Sequence, residues 1–128
     1  MLLQITVIAV VMLALDGIWL TARASATQKL FAAIQGAPLK INFIAVGLSY
    51  VVMILGLWWF AVRETRDAIT AATKGAALGA LGYGTYDLTN LATLKGYTAE
   101  YAITDWLWGT ILYATTATAA VLIGTNHS

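Results

Sequence analysis

Residues 41–62 read Ile41-Asn42-Phe43-Ile44-Ala45-Val46-Gly47-Leu48-Ser49-Tyr50-Val51-Val52-Met53-Ile54-Leu55-Gly56-Leu57-Trp58-Trp59-Phe60-Ala61-Val62. Not one of them is charged. A helix needs about 20 apolar residues to cross about 30 Å of hydrocarbon, and this run has that length. Three similar stretches flank it. Residues 2–22 are interrupted only by Asp16, the interval from Lys74 to Lys95 only by Asp87, and residues 101–123 only by Asp105. Strict alternation is missing, and a barrel needs many more segments. The expected fold is therefore all-α: a single domain over residues 1–128. It is an integral membrane bundle of four transmembrane helices, with spans near 2–22, 41–62, 70–94 and 101–123.

Composition agrees. The chain of 128 residues is 60% hydrophobic and 10% charged, with a mean hydropathy of +0.79. Soluble domains carry about a quarter charged residues. Seven Lys and Arg against six Asp and Glu leave a net charge of +1. No basic face of the kind that binds nucleic acid is present. With no cysteine there is no disulfide, iron–sulfur cluster or thiolate zinc site. The one histidine, His127, stands far from any span.

The third span is the least hydrophobic. Its start, Gly75-Ala76-Ala77-Leu78-Gly79-Ala80-Leu81-Gly82-Tyr83-Gly84, is almost all small residues. Gly75 and Gly79 have the small-xxx-small spacing, as do Ala76, Ala80 and Gly84, and such faces let helices approach closely in lipid. This helix is expected to be the one most surrounded by protein. The first span carries an aspartate and no basic start, which argues against a cleaved signal peptide. Residues 24–35 either continue the first helix or lie flat with Leu30, Phe31 and Ile34 toward lipid. An even number of spans puts both termini on one side. Loops 1 and 3 hold Arg23, Lys29, Lys40 and Lys95, while loop 2 holds Arg63, Arg66 and Lys74. By one residue, this count favours loops 1 and 3 on the cytoplasmic side.

Three aspartates inside spans are costly unless paired. At 1.5 Å per residue, Asp16 lies about 9 Å, Asp87 about 10 Å and Asp105 about 6 Å inside the boundary nearest loops 1 and 3. Helical spacing gives each of them polar or aromatic neighbours: Tyr83, Asp87 and Asn90 share a face, as do Asp16, Trp19 and Arg23, and also Tyr101, Asp105, Trp108 and Gly109. Asn42 and Lys40 begin the second span on the same side. The expected site is a carboxylate-lined polar cavity near that interface. Its candidate ligand-binding residues are Asp16, Trp19, Asn42, Tyr83, Asp87, Asn90, Asp105 and Trp108. Arg23, Lys40 and Lys95 are the candidates for contact with a headgroup. The residue types suit a divalent cation held by Asp16, Asp87 and Asp105, a lipid-like ligand, or a carboxyl acting as a proton carrier. Interhelical packing networks are the competing explanation for the same residues. Two further readings stay open: an accessory subunit of a larger membrane complex (photosynthetic or respiratory), and a small proton-coupled transporter. The expected partners are membrane lipids, neighbouring subunits or a second copy. The pattern assigns no reaction.

Two segments are distinctive: Tyr83-Gly84-Thr85-Tyr86-Asp87-Leu88-Thr89-Asn90 running on to Tyr97, and Asp105-Trp106-Leu107-Trp108-Gly109. With Asp16-Gly17-Ile18-Trp19-Leu20, they resemble a family of small four-helix membrane proteins, mostly bacterial, catalogued as domain of unknown function 2177. The resemblance implies an integral protein of the bacterial inner membrane and transfers no catalytic residue. The family's recurrent positions correspond to Asp16, to Asp87 through Asn90, and to Asp105, Trp108 and Gly109. Other patterns fit less well. CDP-alcohol phosphatidyl-transferases need a later aspartate pair that is missing here, and retinal binding needs a lysine inside a span.

Overall fold

A computed structural model describes residues 1–124; His127 lies outside the described residues. Four helices follow one another: α1 (Leu2–Gln35), α2 (Phe43–Leu57), α3 (Ala68–Thr93) and α4 (Ala99–Ala119). α2 and α4 each end in a wider π turn, Trp58–Val62 and Ala120–Gly124. No strand occurs among the described residues. α1, α2 with its π turn, and α4 with its π turn are long and apolar enough to cross a membrane. α3 is long enough, at 26 residues, but the Lys74 near its start and its many small residues leave it less apolar.

Successive helices run in opposite directions. The start of α1, the end of α2 and the end of α4 meet at one end of the bundle. There Trp58 Nε1 donates to Gln4 Oε1 at 3.1 Å, and Gly124 abuts Gln4. At the other end Thr27 shares a 2.9 Å hydrogen bond with Tyr101, and Gly96 faces Ile34.

The helix starts are set by short side chains. Asn42 accepts from the Ala45 N–H, Asp67 from the Thr70 N–H and Thr98 from the Tyr101 N–H, each satisfying a donor that the first turn leaves free. The backbone hydrogen bond from Thr70 holds the exposed Asp67 carboxyl below the usual carboxylate range. Its contribution is therefore present above the unfolded-state value and is lost as pH falls through the lowered one. Acidification will fray the start of α3 in the wild type. Asp67→Asn, which keeps an accepting oxygen, will remove that pH dependence; amide exchange at Thr70 followed across the acid range is the check.

α1 is one continuous helix of 34 residues, about 51 Å long. That exceeds the hydrocarbon thickness by roughly 20 Å. Residues 24–35 thus extend the first span and do not lie flat. Phe31, which the flat alternative would turn to lipid, packs edge-on against Tyr97 and Tyr101, with centroids 6.0 and 6.3 Å apart. Burying those rings under a helical overhang gains more than exposing Phe31 at a headgroup layer.

The most protein-surrounded helix is α4, not α3. In its most apolar window 44% of residues are buried, against 17% for α1 and 6% for α2. α3 buries one narrow stripe, Ala71, Gly75, Gly79, Gly84 and Asp87, and turns Ile69, Leu81 and Leu88 outward. The small residues serve a single seam, against α4. A Cβ on Gly79 would collide with the Gly109 carbonyl oxygen, and one on Gly109 would fall within the Tyr83 ring. Side-chain-free positions on both helices are what allow this approach. The apolar core, including Ile8, Met12, Leu57, Leu112 and Ala117, includes residues from the half of the bundle that holds Gln4 and Gly124.

Candidate functional site

Toward the overhang end, aromatic and acidic side chains replace the aliphatic core. Asp16, on α1, is 6% exposed, and each of its oxygens has a donor. Trp108 Nε1, from α4, donates to Oδ1 at 2.9 Å. The Tyr50 hydroxyl, from α2, donates to Oδ2. One carboxyl thus ties three helices together through two neutral donors. Trp19, one turn along α1, stacks on Trp108 with centroids 4.8 Å apart and planes 6° apart.

A second cluster surrounds Asp87 on α3, which is fully buried. Its Oδ1 accepts from the Tyr97 hydroxyl at 2.7 Å. Burial, and then the Asp87 hydrogen bond, push the Tyr97 hydroxyl above its ordinary value, so it stays a neutral donor. Asp87 Oδ2 is buried and receives no N–H or hydroxyl donor. The remaining side chain in hydrogen-bonding relation to Asp87 is the Asp105 carboxyl, from α4. A carboxyl donates to a carboxylate only while it carries a proton, so the pair is joined when one proton lies between them. Asn90 reaches Tyr86 and Tyr97 on the same side.

Between these clusters lies a cavity of about 520 Å³, bordered by all four helices. Asp16 and Asp105 reach it, together with Trp19, Tyr50, Tyr83 and Tyr86. Thr27, Phe31 and Tyr101 line it from the overhang side, and Val46, Ser49 and Met53 of α2 from the flank. Aromatic rings and aliphatic groups dominate the lining, so the cavity is amphipathic where a polar one was expected.

Of the residues singled out from sequence, Asp16, Trp19, Tyr83 and Asp105 line this space. Trp108 stands behind Trp19, and Asp87 and Asn90 belong to the Tyr97 cluster. Asn42 is elsewhere: it is exposed and caps α2. Lys40 and Lys95 are exposed in the connections. Arg23 stands at the overhang with its Cζ 5.1 Å from the Trp19 ring centroid and 4.9 Å from that of Tyr101. No group of three or more His, Cys, Asp or Glu is arranged to hold a metal ion among the described residues. The three-aspartate cation site is therefore not assembled: Asp16 is engaged by neutral donors, and Asp87 and Asp105 pair with each other.

Sequence reasoning missed Tyr50 and Tyr97. Tyr50 is the one tyrosine in the charge-free second span, which is a usable signal, since a buried phenol in lipid needs an acceptor. Tyr97 gave no such signal, because it lies on a connection.

The sequence comparison agrees with this architecture. The family model described as "Predicted membrane protein (DUF2177)" matches residues 1–122. The chain belongs to this family. No curated protein and no solved structure matches it. Membership over nearly the whole length makes this an integral membrane protein with an apolar helical bundle.

Proposed function

We propose that this protein binds an amphipathic, lipid-like ligand in the cavity beneath the α1 overhang, at one face of a bacterial inner membrane. The observation that carries the reading is the lining: several aromatic rings and two carboxyl groups around about 520 Å³, a size and character typical of small-ligand sites. The flank of the cavity is α2, the least buried of the apolar spans, which leaves lipid chains as the neighbouring phase. In this reading loops 1 and 3 face the cytoplasm, and both chain ends lie on the opposite side. Lipids are the partners, and no reaction is assigned.

A proton-coupled transporter is supported less well. It needs access to the acids from both faces, and the fully buried Ile8, Met12, Leu57 and Leu112 form an apolar core across the bundle.

The test is native mass spectrometry of the protein extracted in polymer nanodiscs, comparing wild type with Val46→Trp. Val46 lines the cavity and is 40% exposed, so a larger ring there fills the space with little strain on the core. The expected result is a bound amphiphile in the wild type, with occupancy reduced about tenfold, about 1.4 kcal/mol, in the variant at unchanged melting temperature. Equal adducts in both proteins, or copurification of other subunits with no bound amphiphile, would overturn the reading.

A further inference from the structure

The cavity just described leaves the ligand's charge open, and Arg23 bears on it. Its guanidinium lies about equally far from the Trp19 and Tyr101 rings. Both rings are fixed from behind, Trp19 by its stack on Trp108 and Tyr101 by its hydrogen bond to Thr27. Among the described residues Arg23 makes no ion pair; the one salt bridge is between Arg63 and Glu64. Asp16 is bound by Tyr50 and Trp108 and Asp87 by Tyr97, while Asp105 faces Asp87 and feels the Arg23 charge across the cavity without forming an ion pair with it. The result is a planar cation held on an aromatic mount with its N–H donors unengaged, beside a cavity whose lining includes those same two rings.

Two consequences follow. A ligand cation is attracted by aromatic faces, but here the protein's own guanidinium already covers Trp19 and Tyr101. A second positive charge brought there meets like-charge repulsion. An oxyanion meets the opposite situation. Arginine presents its donors as a rigid fork that matches phosphate and carboxylate oxygens, and stacking limits the freedom lost on binding. We propose that Arg23 is the headgroup anchor of the cavity, and that its ligand is an amphiphile with an oxyanion head, its chain lying among Phe31, Val46 and Met53. The proposal rests on the cavity being the binding site.

The experiment measures binding to the full chain in nonionic detergent, using dodecyl phosphate, inorganic phosphate and dodecyltrimethylammonium as probes. Arg23→Gln, Lys29→Gln and Val46→Trp are compared with wild type, with melting temperature read on each. Dodecyl phosphate is expected to bind the wild type and Lys29→Gln alike. It should bind about 10- to 100-fold more weakly to Arg23→Gln, the loss typical of a charged hydrogen-bonded contact. Neither inorganic phosphate nor the ammonium amphiphile should match it. Unchanged binding in Arg23→Gln with loss in Val46→Trp would remove Arg23 from the site and keep the cavity. Equal binding of dodecyl phosphate and dodecyltrimethylammonium would overturn the oxyanion head. Inorganic phosphate binding as tightly as dodecyl phosphate would overturn the amphiphile. Absence of binding by either amphiphile to the wild type would overturn the cavity reading along with the anchor.

Discussion

Gly79→Ala will destabilise the bundle by about 3 kcal/mol, while Gly82→Ala, three residues away on the same helix, will change stability by less than about 0.5 kcal/mol. The two positions differ only in what a methyl group would meet. At Gly79 it meets the backbone carbonyl of Gly109 and, at 2.9 Å, the Cβ of Tyr113. Neither can swing aside, since one is main chain and the other is the root of a side chain. The helices must therefore part along the seam. At Gly82 nothing lies within 4 Å, and the methyl group projects away from α4. Reversible unfolding in mixed micelles, titrated with denaturing detergent, measures the difference. Equal stability of the two variants would mean that α3 and α4 are not held at backbone contact.

Asp16→Ala will cost about 2–4 kcal/mol, and Asp16→Asn about 1 kcal/mol. The alanine variant leaves the Tyr50 hydroxyl and the Trp108 indole N–H without their acceptor. A hydrogen bond to a charged group contributes about 1.5–3 kcal/mol in soluble proteins, and interhelical polar contacts in membranes contribute somewhat less, about 0.6–2 kcal/mol. Asparagine keeps one accepting oxygen for Trp108, and its amide can donate to the tyrosine oxygen in return. A spectroscopic readout separates the cases. Trp19 and Trp108 are stacked nearly parallel, and that pair gives a coupled near-ultraviolet circular dichroism signal. The signal will persist in Asp16→Asn and collapse in Asp16→Ala, because Trp108 loses the bond that fixes its ring. A full signal in Asp16→Ala would show that stacking alone orients Trp108.

Much of this architecture was legible from residues alone. Charge-free runs marked the spans, because lipid tolerates few ionised groups. The spacing of Gly75 and Gly79 marked a close helix contact. Counting at 1.5 Å per residue puts the acids at one level, and Asp16 and Asp105 do border one cavity. Azimuth was harder to read. Asp16 is bound by Tyr50 and Trp108, whereas Asp87 and Asp105 face each other. Which way a carboxyl points depends on helix rotation, which a single chain's pattern constrains only through its neighbours. The same limit misjudged α3: small residues reveal that a helix is approached closely on one side, not that it is surrounded. The depth of Asn42 suits a ligand contact, but asparagine before an apolar run is also a favoured helix start. The sequence leaves the length of α1 open, because Phe31 and Ile34 suit either a lipid surface or a protein contact. Tyr97, which covers Phe31, lies 66 positions further along the chain.

The unbroken course of α1 has one more implication, for motion. Asp16, Trp19, Thr27 and Phe31 all border the cavity, and all belong to a helix with no proline and no π turn among its 34 residues. Floor and roof are therefore parts of one rod and swing together. Sharp bends in helices arise mainly at prolines, glycine–serine pairs and π bulges, and two of the helices that border the cavity, α2 and α4, run directly into such turns, at Trp58–Val62 and Ala120–Gly124. Of these two, α2 is the far less buried, so a doorway between the bilayer and the site would hinge there, with α1 as its fixed post.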